Sequence, residues 1–327
     1  MLTMFRYLVK RILILIPIAI AISIMLFLIT DAMPGDQVRA MLPANLKADQ
    51  YQRAYDVMYA KLGMDRPIYV RYFRWIYNFV IMGEMGWSTM GNRPVTQMVS
   101  IPLRNTIILN IFVNFFYIGL ALPIGIKMAT KRGSLFDSSM QVTSLIAWSV
   151  PSFFLGLILI FTFGVRLGWL PMGGMPVTVD TSFFEEILLW MRHLALPVAT
   201  LTIISLASAM RYVRNAMIDA FSQDFIRTAR SKGLSEKVVI YSHALRNAMI
   251  PVSTIIVMTL FSLFSGAALT ESVFAYNGIG RLLLYAVRNR DSMLISSMNL
   301  FFAALSLVAV LVADIVYGLV DPRIKLK

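Results

Sequence analysis

Six long, uncharged and mostly apolar runs are separated along the chain by polar connections. They cover residues 12–30, 105–126, 138–165, 193–210, 247–270 and 292–313. Each run is near or above the roughly 18–20 residues that a helix needs to cross the hydrocarbon core of a bilayer. Because backbone groups in lipid must be satisfied within the segment, the pattern predicts an all-α membrane protein with six transmembrane helices.

Composition supports this class and excludes several others. Hydrophobic residues make up 58% of the 327 residues and charged residues only 14%, whereas soluble domains carry about 25% charged residues. The net charge of +13 fits basic loops beside anionic lipid, so no nucleic-acid partner is predicted. The absence of Cys and the presence of only two His argue against disulfides and metal centres. No phosphate-binding glycine loop and no catalytic constellation is present, so the chain is not predicted to be an enzyme.

Basic residues predict the orientation of the helices in the membrane. With the N-terminus inside, the cytoplasmic segments hold 16 Lys and Arg, against five in the two short outer loops. This asymmetry places both termini in the cytoplasm of a multi-pass cell-membrane protein. The inner segments are 1–11, 127–137, 211–246 and 314–327, and the short outer loops are 166–192 and 271–291.

The first apolar run is predicted to be an uncleaved membrane helix. Its core is 19 residues long, which exceeds the roughly 7–15 residues of the apolar core of a signal peptide.

The segment between the first two runs, residues 31–103, is predicted to be a structured extracytoplasmic insertion. Its content of Tyr, Trp and Phe is too high for a disordered linker. Residues 47–61 have a helical pattern, which Gly63 and Pro67 interrupt. A folded element is therefore expected outside the membrane, before the second helix.

The loop at residues 211–246 contains a short polar helix with clear end signals. Lys232, Gly233 and Leu234 have the order typical of a helix C-terminus, and Ser235 is placed to begin the next helix. Phe221, Phe225 and Ala229 follow one another at four-residue spacing and predict one apolar stripe. Such a helix either seats in a groove of a partner protein or lies on anionic lipid, and its residues alone leave both interpretations open.

Short motifs occur in order along almost the whole chain. The longest is Asp-Phe-Ile-Arg-Thr-Ala-Arg-Ser-Lys-Gly-Leu-Ser from Asp224, followed by His-Ala-Leu-Arg-Asn-Ala-Met-Ile-Pro up to Pro251. The others lie at residues 34–36, 62–67, 72–75, 149–156, 167–171, 271–274, 278–282 and 321–324. Together they resemble the membrane permeases of the oligopeptide/dipeptide/nickel ABC importer family. The outer loop after Pro-Gly-Asp and the His-Ala-Leu-Arg-Asn run resemble the B-type subunit, since the sister subunit usually has Pro at the position of Arg246.

This resemblance implies a MetI-like, type I ABC importer permease fold. It implies a first helix in residues 1–30, the insertion at 31–103, a permease core at 104–320 and a cytoplasmic tail at 321–327. The expected partners are a homologous C-type permease, two cytoplasmic ATPases that bind ATP and magnesium, and an extracytoplasmic solute-binding protein. The chain itself then needs no cofactor. The segment expected to dock on the ATPases consists of Phe225, Ile226, Arg227, Thr228, Ala229, Arg230, Ser231, Lys232 and Gly233.

Polar residues within the apolar runs are candidates for a translocation path. Asn110 and Asn114 share one face of the second predicted helix, and each either lines the path or hydrogen-bonds to a neighbouring helix. Ser262, Ser265 and Gly266 suit either close helix packing or a lumen wall. Glu271 is placed for contact with the binding protein or for a structural hydrogen bond.

The cargo implied by the resemblance is an oligopeptide or dipeptide, with nickel or glutathione as alternatives. Departures from the family pattern at Gln37, Glu84, Asn277 and the pair Ser292–Met293 leave the substrate class open. The alternative from another class is an ion-coupled secondary transporter, which needs carboxylates near the membrane centre and inverted repeats. The sequence has neither feature clearly.

Overall fold

The computed structural model describes residues 2–33, 36–42, 47–89, 91, 93–177 and 181–320. The family-like motif at residues 321–324 and the first two residues of the motif at 34–36 lie outside the described residues. Contacts divide the chain into two compact units. One comprises residues 1–104 and 278–311, and the other comprises residues 105–277 and 312–327.

Helices account for most of the described chain. In order, the elements are α1 (Leu2–Asp31), α2 (Gln37–Met41), α3 (Ala48–Leu62), α4 (Ile68–Val80), β1 (Trp87–Ser88), β2 (Arg93–Pro94), α5 (Val95–Thr130), α6 (Leu135–Ser149), α7 (Ser152–Leu159), π1 (Ile160–Arg166), α8 (Phe183–Phe221), α9 (Asp224–Ser231), α10 (Glu236–Val238), π2 (Val239–Ala244), α11 (Leu245–Ser262), α12 (Ala268–Val273), α13 (Ile279–Arg288) and α14 (Ser292–Val320). The two strands form one short antiparallel ladder, in which Trp87 pairs with Pro94.

Four of the predicted membrane runs fall inside long apolar helices. Within the described residues, the segments long and apolar enough to cross a bilayer are Val9–Asp31, Val95–Thr130, Phe183–Phe221 and Ser292–Ala313. The chain is therefore a helical, multi-pass membrane protein. The run at 193–210 lies in a helix of 39 residues, much longer than predicted at both ends, because polar residues extend the helix without breaking it.

The run at 138–165 is not the straight helix that its length predicts. Helix α6 ends at Ser149, and the following segment Ser152–Arg166 turns away from it by 100°. Pro151 lacks a backbone N–H, and its ring restricts Val150 to an extended conformation, with φ −82° and ψ 126°. Two bent helices therefore replace the one predicted, and they count as a fifth crossing only if the pair is one broken span.

The run at 247–270 also differs from its prediction. Helix α11 ends at Ser262, eight residues before the predicted end, and is not among the candidate spans in the described part of the chain. Two tight turns follow, in which the N–H groups of Phe264 and Ser265 donate to the carbonyls of Phe261 and Ser262. The described residues thus contain four candidate spans, or five if the bent pair is one span, and the predicted count of six is not confirmed.

The first unit contains the predicted insertion at residues 31–103, and most of the described residues of this segment are helical. Helix α3 matches the predicted helix at 47–61 and ends at Gly63, whose φ of +72° favours glycine. The Tyr55 hydroxyl donates to the Asp36 carboxylate at 2.9 Å, and this hydrogen bond raises the pKa of Tyr55. Helix α4, after Pro67, is an element that the sequence analysis did not predict.

The first unit contains a small buried apolar core. Val95, Met98 and Val99 at the start of α5 pack with Ile279 of α13 and with residues of α14. The buried carboxylate of Asp291 accepts a hydrogen bond from Ser88, and the Ser297 hydroxyl donates to the Met85 carbonyl. The β1–β2 hairpin and the loop before it are therefore attached to the beginning of α14.

The second unit is built on close contact between α5 and α8. A Cβ atom at Gly125 would lie 2.7 Å from Val213 Cβ and 2.8 Å from the Met210 carbonyl oxygen. Only glycine permits this approach of the two helices. Apolar side chains of both helices form two buried clusters, one of which includes Phe274 and Tyr276, and the other the residues of α9 and π2.

Candidate functional site

Helix α9 is the short polar helix that the sequence predicts in the cytoplasmic loop. Its buried face consists of Ile226 and Ala229, which are 0% and 4% exposed. They pack in one cluster with Met217 of α8 and with Val239 and Ala244 of π2. Buried apolar contacts with α8 and π2 therefore fix the position of α9, although this helix is only eight residues long.

The predicted stripe of Phe221, Phe225 and Ala229 is wrong. Phe221 belongs to α8, and Ser222 and Gln223 break the helix before α9 begins, which interrupts the four-residue spacing. Phe225 is consequently turned outward and 37% exposed, while its neighbour Ile226 is buried. An exposed phenylalanine beside an anchored helix is a feature suited to contact with another molecule.

The C-terminus of α9 agrees with the prediction from Lys232, Gly233 and Leu234. The Leu234 N–H donates to the Ala229 carbonyl at 3.4 Å, and the Gly233 N–H donates to the Arg230 carbonyl at 2.9 Å. These two bonds define the Schellman arrangement, and Gly233 takes the left-handed conformation with φ +75°. Nothing lies within 4 Å of the position that a Cβ would occupy there, so the constraint on this residue comes from its backbone alone.

The outer face of α9 carries charge. Arg227 and Asp224 form a loose pair at 3.7 Å, with side chains 80% and 96% exposed. Arg230 donates two hydrogen bonds to Glu236, at 2.8 and 3.2 Å, and so bridges α9 to α10. The remaining predicted docking residues of the segment are exposed as well: Thr228, Ser231, Lys232 and Gly233. The surface is polar and cationic around one aromatic side chain.

A cavity of about 370 Å³ lies beside this surface. It is bounded by the ends of α5 and α8 and by the α9–α10 segment. Its lining residues are Ala129, Thr130, Arg132, Ile218, Phe221, Ser222, Arg230, Glu236 and Ile240. The Arg230–Glu236 pair therefore forms part of both the wall of this cavity and the outward surface.

A buried ion pair connects the start of α6 to α8. Arg214 donates two hydrogen bonds to the Asp137 carboxylate, at 2.6 and 2.7 Å. The side chains of Arg214 and Asp137 are only 14% and 1% exposed. Asp137 also accepts a 3.0 Å hydrogen bond from the Gly133 N–H. The pair fixes the 131–134 turn on the helix that leads to α9.

Two of the candidate residues for the translocation path, Asn110 and Asn114, form hydrogen bonds with the backbone of α11 and of the residues that follow it. The Asn110 side-chain nitrogen lies 3.0 Å from each of three carbonyl oxygens, those of Ser262, Leu263 and Ser265. One turn away, Asn114 donates to the Thr259 carbonyl at 3.3 Å. Both asparagines thus bind carbonyl groups in the last turn of α11 and in the residues just after it.

The other path candidates differ in accessibility. Ser262 and Ser265 are exposed and Gly266 is half-buried, so these three border a surface next to Asn110. Glu271 is 1% exposed and accepts hydrogen bonds from the Thr106 hydroxyl and the Ala267 N–H, both at 3.2 Å. Its burial favours the structural interpretation of this carboxylate.

Sequence analysis missed two features of the site. The Asp137–Arg214 pair joins residues 77 positions apart, and nothing local signals it. The hydroxyls of Tyr117 and Thr259 form a hydrogen bond, which adds a third polar contact beside those of Asn110 and Asn114. In the sequence, this contact is indicated only by the position of Tyr117 on the same helix face as the two asparagines. Among the described residues, no group of three or more His, Asp or Glu side chains is arranged to hold a metal ion.

Comparison with known proteins identifies the class. A family described as the binding-protein-dependent transport system inner membrane component matches residues 121–326. The N-terminal membrane component of the same systems matches residues 4–120. Together these matches cover nearly the whole chain, which belongs to the family of membrane permease components of binding-protein-dependent transport systems.

Individual relatives are similar over their full length. The oligopeptide transport system permease protein AppB of Bacillus subtilis is 37% identical, over 98% of this chain and 100% of its own. The di/tripeptide transport system permease protein DppB of Pseudomonas aeruginosa is 35% identical, over 98% and 99%. The dipeptide transport system permease protein DppB of Escherichia coli K12 is 32% identical, over 99% and 100%. The chain is thus similar to B-type peptide permeases throughout, as its motifs predict.

Proposed function

We propose that this chain is the permease subunit of an ATP-driven importer of short peptides. The observation that carries the proposal is the full-length similarity to relatives named as oligopeptide, di/tripeptide and dipeptide permeases. The helical, multi-pass structure with a rigidly held polar helix is consistent with it. Nickel and glutathione are the alternative cargoes within the same family.

In this proposal the membrane core has six crossings. Four crossings are the candidate spans in α1, α5, α8 and α14. The bent pair α6–α7 supplies the fifth crossing, and the shortened helix α11 supplies the sixth. Both termini and the 211–246 loop face the cytoplasm, and residues 31–103 form an extracytoplasmic insertion before the permease core at 104–320. The support is the excess of Lys and Arg on the proposed inner segments.

The proposed partners supply the functions that the chain lacks. A homologous C-type permease completes the path, and a solute-binding protein delivers peptide from outside. Two ATPases bind ATP and magnesium in the cytoplasm, so this subunit carries no cofactor and performs no catalysis. Closure of the ATPase pair moves α9 and opens the bundle outward. The chain then needs only different contacts in its two states.

Helix α9 is the proposed docking element for the ATPases. Its buried side is anchored by Ile226 and Ala229, and its other side presents Phe225, Arg227 and Lys232. A helix fixed in this way transmits force because its orientation relative to α8 is set by packing. The alternative of a lipid-bound amphipathic loop requires the apolar side to face outward, whereas here that side is buried in the protein.

A photo-crosslinker tests this docking and the orientation together. We expect p-benzoylphenylalanine at Phe225 or Arg227 to form an ultraviolet-dependent adduct with an ATPase subunit in intact membranes. The matched control is Val57, which is 69% exposed in the proposed outer insertion and is expected to give no such adduct. Adducts with lipid alone at both α9 positions, or an ATPase adduct at position 57, would contradict the proposal.

A further inference from the structure

Helix α4 has an aromatic face that is largely exposed among the described residues. Tyr69, Phe73 and Tyr77 follow one another at four-residue spacing, so they form one stripe along the helix. Their exposed fractions are 63%, 64% and 51%. Val70 and Val80 border the stripe and are exposed to 37% and 65%, so this side of the helix is continuously apolar.

The opposite face of α4 is attached to the first membrane helix. The Tyr72 hydroxyl hydrogen-bonds to the Ser23 hydroxyl at 2.8 Å, and Arg71 pairs with Asp31. The Phe27 ring lies 5.5 Å from the Tyr72 ring and 5.6 Å from the Trp75 ring, measured between centroids. At about 100° per residue of a helix, Trp75 lies on the side away from Phe73 and Tyr77. Tyr72 lies at the edge between the two sides, and its ring contacts the Phe73 ring at 5.4 Å between centroids.

These contacts fix the depth of α4 relative to the apolar span. The candidate span in α1 is Val9–Asp31, so Asp31 marks its outer end. Phe27 and Ser23, which both contact α4, lie four and eight residues earlier, which at 1.5 Å per residue is roughly 6 and 12 Å below that end. Amphipathic helices that lie in a membrane surface bury their apolar face to a depth of about 5–10 Å. Helix α4 therefore contacts α1 along the last two turns of the span, a range that includes the depth of the headgroup boundary.

We propose that α4 is an interfacial helix whose aromatic stripe is embedded in the lipid headgroup region beside α1. Three observations favour lipid over a protein partner. The stripe belongs to a helix that packs against α1, a candidate membrane span of which only 6% is buried. Tyrosines are typical of membrane–water interfaces, because the ring is apolar and the hydroxyl remains hydrated. Arg66 and Arg74 are exposed around the stripe and place cations at the level of lipid phosphates.

This membrane-contact surface is independent of the cargo and of ATPase docking. The insertion at residues 31–103 then has the role of holding the outer end of α1 at a defined depth. The Arg71–Asp31 pair and the Tyr72–Ser23 hydrogen bond connect the embedded helix to the span. A change in lipid packing around α4 then acts directly on α1.

Site-directed spin labelling tests the proposal, because the chain contains no native Cys. Phe73→Cys and, separately, Tyr77→Cys would be labelled in the full complex, with partner subunits freed of reactive cysteines, in vesicles of phosphatidylethanolamine and phosphatidylglycerol. Val57→Cys in α3 is the matched control. We expect the labels at 73 and 77 to collide readily with oxygen and poorly with a water-soluble nickel chelate. The label at 57 should show the reverse.

Each other outcome overturns the proposal. Strong collision with the nickel chelate at 73 and 77, equal to that at 57, would mean that the stripe faces water. Weak collision with both reagents would mean that a protein covers it. Two positions are used so that poor folding of one variant leaves the other to decide, and transport activity of each labelled complex shows that it is folded.

Discussion

Replacement of Gly233 by valine is expected to abolish uptake while leaving the protein inserted in the membrane. Gly233 has φ +75°, a region that β-branched residues rarely adopt and in which a non-glycine residue costs on the order of 1–3 kcal/mol. Apart from the neighbouring residues in the chain, nothing lies within 4 Å of the Cβ position, so the added Cβ causes no clash with the rest of the fold. The helix end would therefore be redirected locally, which moves the outward surface of α9, and the rest of the fold would be unaffected.

The matched control is Gly168→Val. Gly168 has a similar φ of +65° and equally open surroundings, but it lies in the proposed outer loop. Peptide uptake and co-purification of the ATPases should be lost for the change at 233 and retained for the change at 168. Asn at position 233 should restore part of the uptake, because Asn adopts the left-handed conformation more readily. Normal uptake by the Gly233→Val protein would argue strongly against α9 as the coupling element.

Asp137→Asn is expected to cause the largest loss of stability. The change leaves the Arg214 guanidinium charged and largely buried, and breaking a buried ion pair in this way typically costs on the order of 3–5 kcal/mol. Because the pair holds the 131–134 turn on α8, the 211–246 loop should loosen as well. Thermal unfolding of the detergent-solubilised complex would report the change as a lower midpoint temperature.

The control for this prediction is Asp224→Asn. It removes the carboxylate of the Asp224–Arg227 pair, whose side chains are 96% and 80% exposed. Exposed pairs contribute about 0–1 kcal/mol, so its midpoint should hardly move. The double variant Asp137→Leu/Arg214→Met should lose less free energy of unfolding than the sum of the losses in the two single variants. Equal effects of the changes at 137 and 224, or strict additivity of the double change, would contradict the role given to the buried pair.

The membrane helices were the most predictable part of the fold, because apolar length is a local property. Four of the six runs coincide with long helices, and the C-terminus of α9 follows the order Lys232, Gly233, Leu234. Pro151 marked the place of the bend in the third run, but a proline fixes only local dihedral angles. The 100° turn depends on how α6 and α7 pack, which composition does not show.

The missed features depend on contacts between distant residues or on a shift of register. Phe225 was assigned to the apolar stripe because Ser222 and Gln223 do not look like a helix break in sequence. Helix α4 was missed although Tyr69, Phe73 and Tyr77 have helical spacing, because Gly63 and Pro67 suggested an irregular segment. Asp137 and Arg214 belong to different helices, so only the folded chain brings their charges together.

The most direct measurement of the central claim is peptide uptake by the reconstituted complex. Proteoliposomes would contain this chain with its partner permease and ATPases, with the binding protein outside and ATP inside. We expect accumulation of a short peptide that requires ATP hydrolysis and the binding protein, without any ion gradient. Accumulation driven by a proton or sodium gradient in the absence of ATP would contradict the proposal and would indicate a secondary transporter.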